Sequence, residues 1–164
     1  MPPLKIYLCD LTHETILLVS DTIPINIGYI GAYANKKYGS NIDVSLFKYP
    51  ESAIEAIKTD PPDILALSNY SWNSNLSEFL ASLAKKCNPN VVTLQGGTNF
   101  PHDDETQKTF LLERPAIDIF TILEYKKLGR KSFHCIVFIL RKAPKHSVIL
   151  IRYIYIYIYL NILL

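Results

Sequence analysis

The chain has 164 residues, 49% of them hydrophobic and 20% charged, which fits one globular domain with a real core and excludes a disordered chain. Its formal charge of +2 conceals an uneven distribution: residues 1–124 carry all 15 acidic residues and nine of the 17 Lys and Arg, while residues 125–164 carry the other eight and no acid. Cys9, Cys87 and Cys135 are far apart, odd in number and form no C-x-x-C pair, which disfavours a disulfide framework, a zinc site or an iron–sulfur cluster held within this chain. The N-terminus MPPLKIYLCDL lacks a charged segment leading into a long apolar one, so it is not a signal peptide and a reducing cytoplasm is expected.

Residues 1–124 alternate strand and helix patterns. LKIYLCDL (4–11) is a short apolar run suited to a buried strand. After a long, partly apolar segment, IGYIGAYANKKYG (27–39) places Ile27, Ile30, Gly31, Ala34 and Tyr38 at helical spacing, with Gly39 where a C-terminal glycine belongs. NIDVSLFKY (41–49) alternates like a half-buried strand, and PESAIEAIKTD (50–60) is a proline-led helix with Ala53, Ile54 and Ile57 on one face. PDILALS (62–68) is the third strand. SNLSEFLASLAKKCNP (74–89) is a helix with a serine cap, an inner face of Leu76, Phe79, Leu80, Leu83 and Ala84, and Lys85 and Lys86 in its last turn. NVVTLQ (90–95), DDETQKTFLLER (103–114) and AIDIFTIL (116–123) complete the series as strand, acid-led helix and strand.

Five strands separated by helices imply right-handed βαβ units and a parallel sheet. Ligands of such sheets bind outside the carboxyl ends of the strands, near the switch in strand order. The loop after the second strand is short and held by Pro50, so attention falls on the others. SNYSWNS (68–74) sets Tyr70 and the only tryptophan, Trp72, among small hydrogen-bonding residues. That mixture suits a flat ligand with polar edges, although two rings capping the sheet would give the same pattern. In GGTNFP (96–101) the paired glycines fit either a tight turn, since glycine tolerates positive φ, or a bulky group lying against the backbone. The spacing is not G-x-G-x-x-G, so the dinucleotide fingerprint is absent. Asp10 and His13 form an acid–histidine pair that more often orders a loop than does chemistry. His102-Asp103-Asp104 reads first as a helix N-terminus. No H-E-x-x-H, G-x-S-x-G or phosphate-loop motif occurs, and residues 1–124 show no basic–aromatic stripe for nucleic acid.

Taken together, PINIGYIGAYA (24–34), LALSNYSWN (65–73), LQGGTNFP (94–101) and IDIFTILE (117–124) resemble the cobalamin-binding domain at the N-terminus of cobalamin-dependent radical S-adenosylmethionine enzymes. The resemblance covers residues 1–124. It implies a flavodoxin-like (Rossmann-like) α/β fold, a five-stranded parallel sheet with helices on both faces, and a corrin lying over the carboxyl strand ends. The implied cofactor-binding set is Thr12, His13, Pro24, Asn26, Gly28, Tyr29, Ser68, Tyr70, Trp72, Asn73, Gly96, Gly97, Thr98, Asn99 and Glu124, with the two glycines leaving room for the nucleotide tail. D-x-H-x-x-G, the motif supplying a histidine beneath the cobalt in methionine-synthase-like relatives, is absent. Asp10 and His13 are one residue too far apart and Ile16 stands where glycine would be, so His13 is only a candidate metal ligand. The family's G-E-G-E turn is broken, because Tyr125-Lys126-Lys127 follows Glu124. No C-x-x-x-C-x-x-C exists to hold the family's iron–sulfur cluster, so no radical chemistry is expected of this chain alone, and any such activity implies a separately encoded radical S-adenosylmethionine domain as partner.

Residues 125–164 read differently. RYIYIYIYL (152–160) alternates Ile and Tyr. As a strand it is apolar on both faces and aggregation-prone; as a membrane span, SVILIRYIYIYIYLNILL places Arg152 at a costly depth. A repeated ATA-TAT in DNA would encode the same peptide, and the favoured expectation is out-of-frame or degenerate sequence after a truncation near residue 124. The overall expectation is a corrinoid-binding module without catalysis of its own. A flavodoxin-like module for a flavin or another nucleotide-tailed ligand, and a subunit of a split radical enzyme, stand as the alternatives.

Overall fold

Apolar runs too short for helices, each followed by an amphipathic segment, fold here as alternating strands and helices. The structure, a computed structural model, describes residues 2–12, 23–124, 134–143 and 147–157. Its elements are β1 (Leu4–Cys9), α1 (Ile25–Tyr38), β2 (Ile42–Phe47), α2 (Pro50–Thr59), β3 (Ile64–Ser68), α3 (Ser74–Cys87), β4 (Val92–Gly96), α4 (Asp104–Leu112), β5 (Ile119–Glu124), β6 (His134–Ala143) and β7 (Ser147–Tyr157). The sheet order is β2-β1-β3-β4-β5-β6-β7. The first five strands are parallel, in the flavodoxin-like order 2-1-3-4-5. β6 then pairs antiparallel with β5, and β7 with β6. The sheet therefore runs on past residue 124, and the backbone of 152–157 takes the strand form; residues 158–164 lie outside the described residues.

The two faces of the sheet are covered differently. On one, Tyr7, Cys9, Leu65 and Leu67 pack against Ala53 and Ile57 of α2 and Leu80, Ala81 and Ala84 of α3. Phe120, in register with Gln95, extends that face and stacks on Phe100, with Phe110 of α4 edge-on to both. On the other face α1 lies over β1 and β2, with Gly31 against the side chains of Leu8, Val44 and Leu46.

Two helix faces differ from expectation. In α1 the buried positions are Ile27 and Gly31, while Ile30 and Tyr38 are exposed. A narrow contact through a glycine replaces a broad apolar stripe. In α3 the buried set is Ser74, Ser77, Leu80, Ala81 and Ala84, with Phe79 turned outward, because small residues let the helix lie close to the sheet. Asn73, not a serine, occupies the N-cap of α3, and its side chain makes no cap hydrogen bond. Gly39 closes α1 as expected, with φ of 54° and its N–H donated to the Asn35 carbonyl. Asp103 caps α4 by accepting from the Thr106 N–H at 2.8 Å, which holds its carboxyl below the usual carboxylate range.

The amino ends of β4 and β5 are tied by a carboxylate. Asp118 Oδ2 accepts from Thr93 N–H at 2.9 Å, Thr93 Oγ1 at 2.9 Å and Lys85 Nζ at 2.5 Å. Among the described residues, no helix is long and apolar enough to cross a membrane.

Burial pushes the Cys9 thiol up to about 12, so it stays protonated and unreactive at neutral pH, whereas Cys87 is exposed. Alkylation of the native chain, mapped by peptide mass, should label Cys87 at least about a hundredfold faster than Cys9, with Cys9 labelled only on unfolding. The sign of the pH effect follows. A thiol whose pKa is raised by folding stabilises fully below its unfolded value near 9 and loses that contribution as pH rises toward 12. Desolvation raises Tyr7 in the same sense above its ordinary value of 10.0, so urea midpoints should fall as pH rises above about 9, and less steeply in a Cys9→Ala variant.

Candidate functional site

The carboxyl ends of β1, β2 and β3 meet where the strand order reverses, the position at which sheets of this order take their ligands. Beyond β1 the chain stays extended along the end of β2. Asp10 N–H donates to Phe47 O and Thr12 N–H to Lys48 O, both at 3.0 Å. The loop after β3 turns away on the other side. Between them opens a cleft of about 530 Å³ lined by Asp10, Leu11, Thr12, Ile23, Pro24, Ile25, Asn26, Lys48, Tyr70 and Trp72. Its size is that of a small-molecule site, and its walls mix apolar faces with one carboxylate, one ammonium, a hydroxyl and an amide.

The aromatic wall is a pair. Tyr70 and Trp72 lie parallel, 7° apart with ring centroids 4.6 Å apart, and Trp72 is 62% exposed. Such a stack contributes about 0.5–1.5 kcal/mol, no more than one or two ordinary hydrogen bonds, so the turn beneath it matters as much as the rings. That turn is closed twice: Asn73 N–H donates to Tyr70 O at 3.2 Å, and Asn73 Oδ1 accepts from Tyr70 N–H at 2.8 Å.

Asn73 is fully buried. Its Nδ2 donates to Ser68 Oγ at 2.8 Å and Leu11 O at 3.3 Å, and Ser68 Oγ donates to Asp10 Oδ1 at 2.7 Å. Asn73 and Ser68, expected from sequence to line the ligand side, hydrogen-bond to the loops that form the cleft. The physical reason is that a buried carboxamide needs partners, and the protein supplies them.

The glycine pair has a similar answer. Gly97 adopts φ of 147°, and a Cβ there would overlap the Asn69 carbonyl; one on Gly96 would overlap Thr121 Oγ1. The close approach that the glycines permit is made by the chain's own neighbouring loop and strand. Asn69, fully buried, seals it. Its N–H donates to Gly96 O at 2.6 Å and its Nδ2 to Asn99 O at 2.8 Å, while its carbonyl accepts from Asn99 N–H at 3.2 Å.

Of the residues expected at the site, the cleft gathers Thr12, Pro24, Asn26, Tyr70 and Trp72. Gly96, Gly97 and Asn99 stand behind it in the next loop, beside the exposed Thr98. Gly28 and Tyr29 lie on α1 outside the cleft lining, with Tyr29 exposed. Glu124 ends β5 and pairs with His134 of β6, and the residues that follow it, 125–133, lie outside the described residues. His13 lies outside the described residues, and no cluster of three metal-ligating side chains occurs among those described. Asp10, read from sequence as one half of a loop-ordering pair, and Asn69 were left out of the expected set, and Lys48 was passed over. Lys48 is the first residue past β2, so the carboxyl-end rule applied to every loop would have found it.

No protein-family model matches the chain. It is 38% identical over 58 residues, 35% of its length, to the cobalamin-dependent radical SAM methyltransferase TokK of Streptomyces tokunonensis. It is 28% identical over 105 residues, 59% of its length, to the 2-(S-pantetheinyl)-carbapenam-3-carboxylate methyltransferase of Streptantibioticus cattleyicolor. The matched segments span only 8% and 14% of those proteins. Among solved structures, the DNA/pantothenate metabolism flavoprotein of Streptococcus pneumoniae superposes over 92% of this chain and 91% of its own, with a TM-score of 0.53 and 14% identity, which is a likeness of fold.

The loop geometry orders three glycine variants. Gly97→Ala should destabilise by about 2 kcal/mol or more, because φ and a backbone clash both oppose it. Gly96→Ala should cost less, since the obstructing Thr121 side chain can turn, and Thr121→Ala in the same chain should restore most of the loss. Gly28→Ala, in a helix with nothing within 4 Å, should stabilise by about 0.5–1 kcal/mol. Chemical denaturation of the four variants reads the order directly.

Proposed function

We propose that the cleft at the ends of β1, β2 and β3 binds part of a corrinoid, and that residues 1–124 are a cobalamin-binding module acting by binding rather than catalysis. The observation that carries this reading is the stacked Tyr70–Trp72 pair at the strand-order switch, facing a wall of hydrogen-bonding groups across an open cleft. The chain's similarity to segments of two methyltransferases, one of them named cobalamin-dependent, supports it. The chemistry of the lining fits. A corrin is fringed with carboxamides, which both donate and accept, and Asp10, Thr12, Asn26 and Lys48 offer acceptors and donors in return. The cleft volume takes one ring or nucleotide-sized portion, with the macrocycle over the strand ends. When bound, the corrinoid supplies cobalt chemistry; the residues of this chain hold and orient it and limit access of water to one side.

On this reading Thr98 and Asn99 of the glycine loop would contact a part of the corrinoid that reaches past the cleft, and His13 is a candidate cobalt ligand. Carbon chemistry belongs to a radical S-adenosylmethionine domain elsewhere, which makes the chain a non-catalytic part of a larger system. A flavin is the second reading, favoured by the same parallel ring pair at a β1/β3 switch, where sheets of this order hold flavin mononucleotide.

Absorbance titration of the full chain with hydroxocobalamin, followed by desalting, should leave near-stoichiometric corrinoid with an altered spectrum. Trp72→Ala should weaken binding by about 1–2 kcal/mol, the scale of a lost stacking wall. Corrinoid that washes entirely through folded protein, with retention of flavin mononucleotide, selects the second reading; loss of both ligands refutes the cleft as a cofactor site. A His13→Ala variant whose bound-corrinoid spectrum matches the parent's removes His13 from the cobalt.

A further inference from the structure

Three features outside the ligand contacts were candidates for a role. The exposed apolar side chains of α1 form a surface whose cover nothing identifies, and the Asp118–Thr93–Lys85 cluster is saturated and lies at the far end of the strands. The third, the buried Asn73 carboxamide, reaches the cleft from behind and bonds the chain leaving β1 and the chain leaving β3 at once.

We infer that Asn73 is the positioning residue of the cleft: its side chain sets the Tyr70–Trp72 pair in place before any ligand arrives. Each atom of the carboxamide has a separate task. Oδ1 holds Tyr70 N–H at 2.8 Å, which with the Asn73 N–H to Tyr70 O bond fixes the turn carrying both rings. Nδ2 holds Leu11 O at 3.3 Å, a main-chain group of the opposite wall. The second Nδ2 hydrogen goes to Ser68 Oγ, which passes the link to the Asp10 carboxylate in the cleft lining. The carboxamide thus spans the cleft from beneath, joining the aromatic wall to the wall carrying Asp10 and Leu11. Both donors and one acceptor lone pair are used, and the residue is fully buried, so its influence on a ligand runs through Tyr70, Leu11 and Asp10. A cleft braced in this way is preformed, and a ligand need not order the rings on binding.

The inference rests on the corrinoid reading only for its ligand measurement; the rest is read without ligand. Trp72 is the chain's only tryptophan, so the circular dichroism band at the red edge of the near-ultraviolet and the tryptophan anisotropy report on this pair alone. In the parent chain the Tyr70 amide, bonded to a side chain in a loop, should exchange with solvent at least about a hundredfold more slowly than in an unstructured peptide. Exchange at the unprotected rate overturns the inference without any variant. Asn73→Ala should lose most of the Trp72 dichroism and weaken hydroxocobalamin binding about tenfold. Asn73→Asp keeps the acceptor for Tyr70 N–H and loses both donors, so it should retain the Trp72 signal while still weakening binding. A merely structural residue would lower the melting temperature in both variants without separating the two readouts. Parent-like Trp72 signals in folded Asn73→Ala, or equal loss in Ala and Asp variants, refute the role. Failure of the parent to bind hydroxocobalamin refutes the corrinoid reading and leaves the amide exchange and Trp72 signals to judge Asn73.

Discussion

The Asn69 carbonyl lies against the α-carbon of Gly97, and the arrangement of the strand ends depends on that approach. Without a Cβ on Gly97, the loop after β4 folds down onto the loop after β3. The Asn69 N–H then meets Gly96 O, and its carbonyl and carboxamide meet Asn99. Those contacts bury Asn69 completely, which is tolerable only because its polar groups are partnered. Fixed at Asn69, the chain presents Ser68 on one side to Asp10 and Tyr70 on the other to Asn73. A single main-chain contact between two loops thereby orders a third, the one after β1.

The cleft itself follows from topology. α1 lies on the sheet face of Leu8, Val44 and Leu46, whereas α2 and α3 pack on the face of Cys9, Leu65 and Leu67. The connections after β1 and after β3 therefore lead to helices on opposite faces, the arrangement that opens a crevice at a strand-order switch. Asp10 and Thr12 hold the first strand's exit against the end of β2, which brings Lys48 to the rim. Apart from Asn26 at the start of α1, the polar and charged groups of the cleft come from strand exits, where the backbone is held by the sheet and side chains are aimed by it.

The alternation of elements, the parallel sheet and the carboxyl-end location were legible in the sequence because each rests on local period and on general rules of connection. Gly39 was legible for the same reason, since a helix end with positive φ leaves few choices. The inner faces of α1 and α3 were less so. Periodicity finds an apolar stripe but not which of two adjacent stripes small residues will bring closer to the sheet, and Gly31, Ala81 and Ser77 decided that. The polar residues were hardest. From sequence, Ser68 and Asn73 looked like ligand contacts and the glycine pair like either a turn or room for a ligand, because hydrogen-bonding residues at strand ends look alike whether they face solvent, ligand or another loop. Only the fold shows that Asn73 and Asn69 face inward, and that Thr121, two strand positions into β5, sits where a Cβ of Gly96 would fall.

The start of α3 shows most clearly which requirement prevailed. Asparagine is among the best N-cap residues, and its usual side-chain bond to the first turn is worth about 1 kcal/mol. Asn73 stands at that position and does not make the bond. Its carboxamide turns back to Tyr70, Leu11 and Ser68, while the helix is tied to β3 by Ser77 Oγ, which donates to Ser68 O at 2.8 Å. Helix stability alone would favour the cap. The observed choice gives up that local gain and places the same hydrogen-bonding capacity beneath a stacked, solvent-facing ring pair. Departures of this kind, where a residue suited to one local role serves a loop instead, concentrate at functional sites. Here the departure lies directly under the cleft at the strand-order switch, so the energetics of a helix start and the location of the ligand site point to the same few residues.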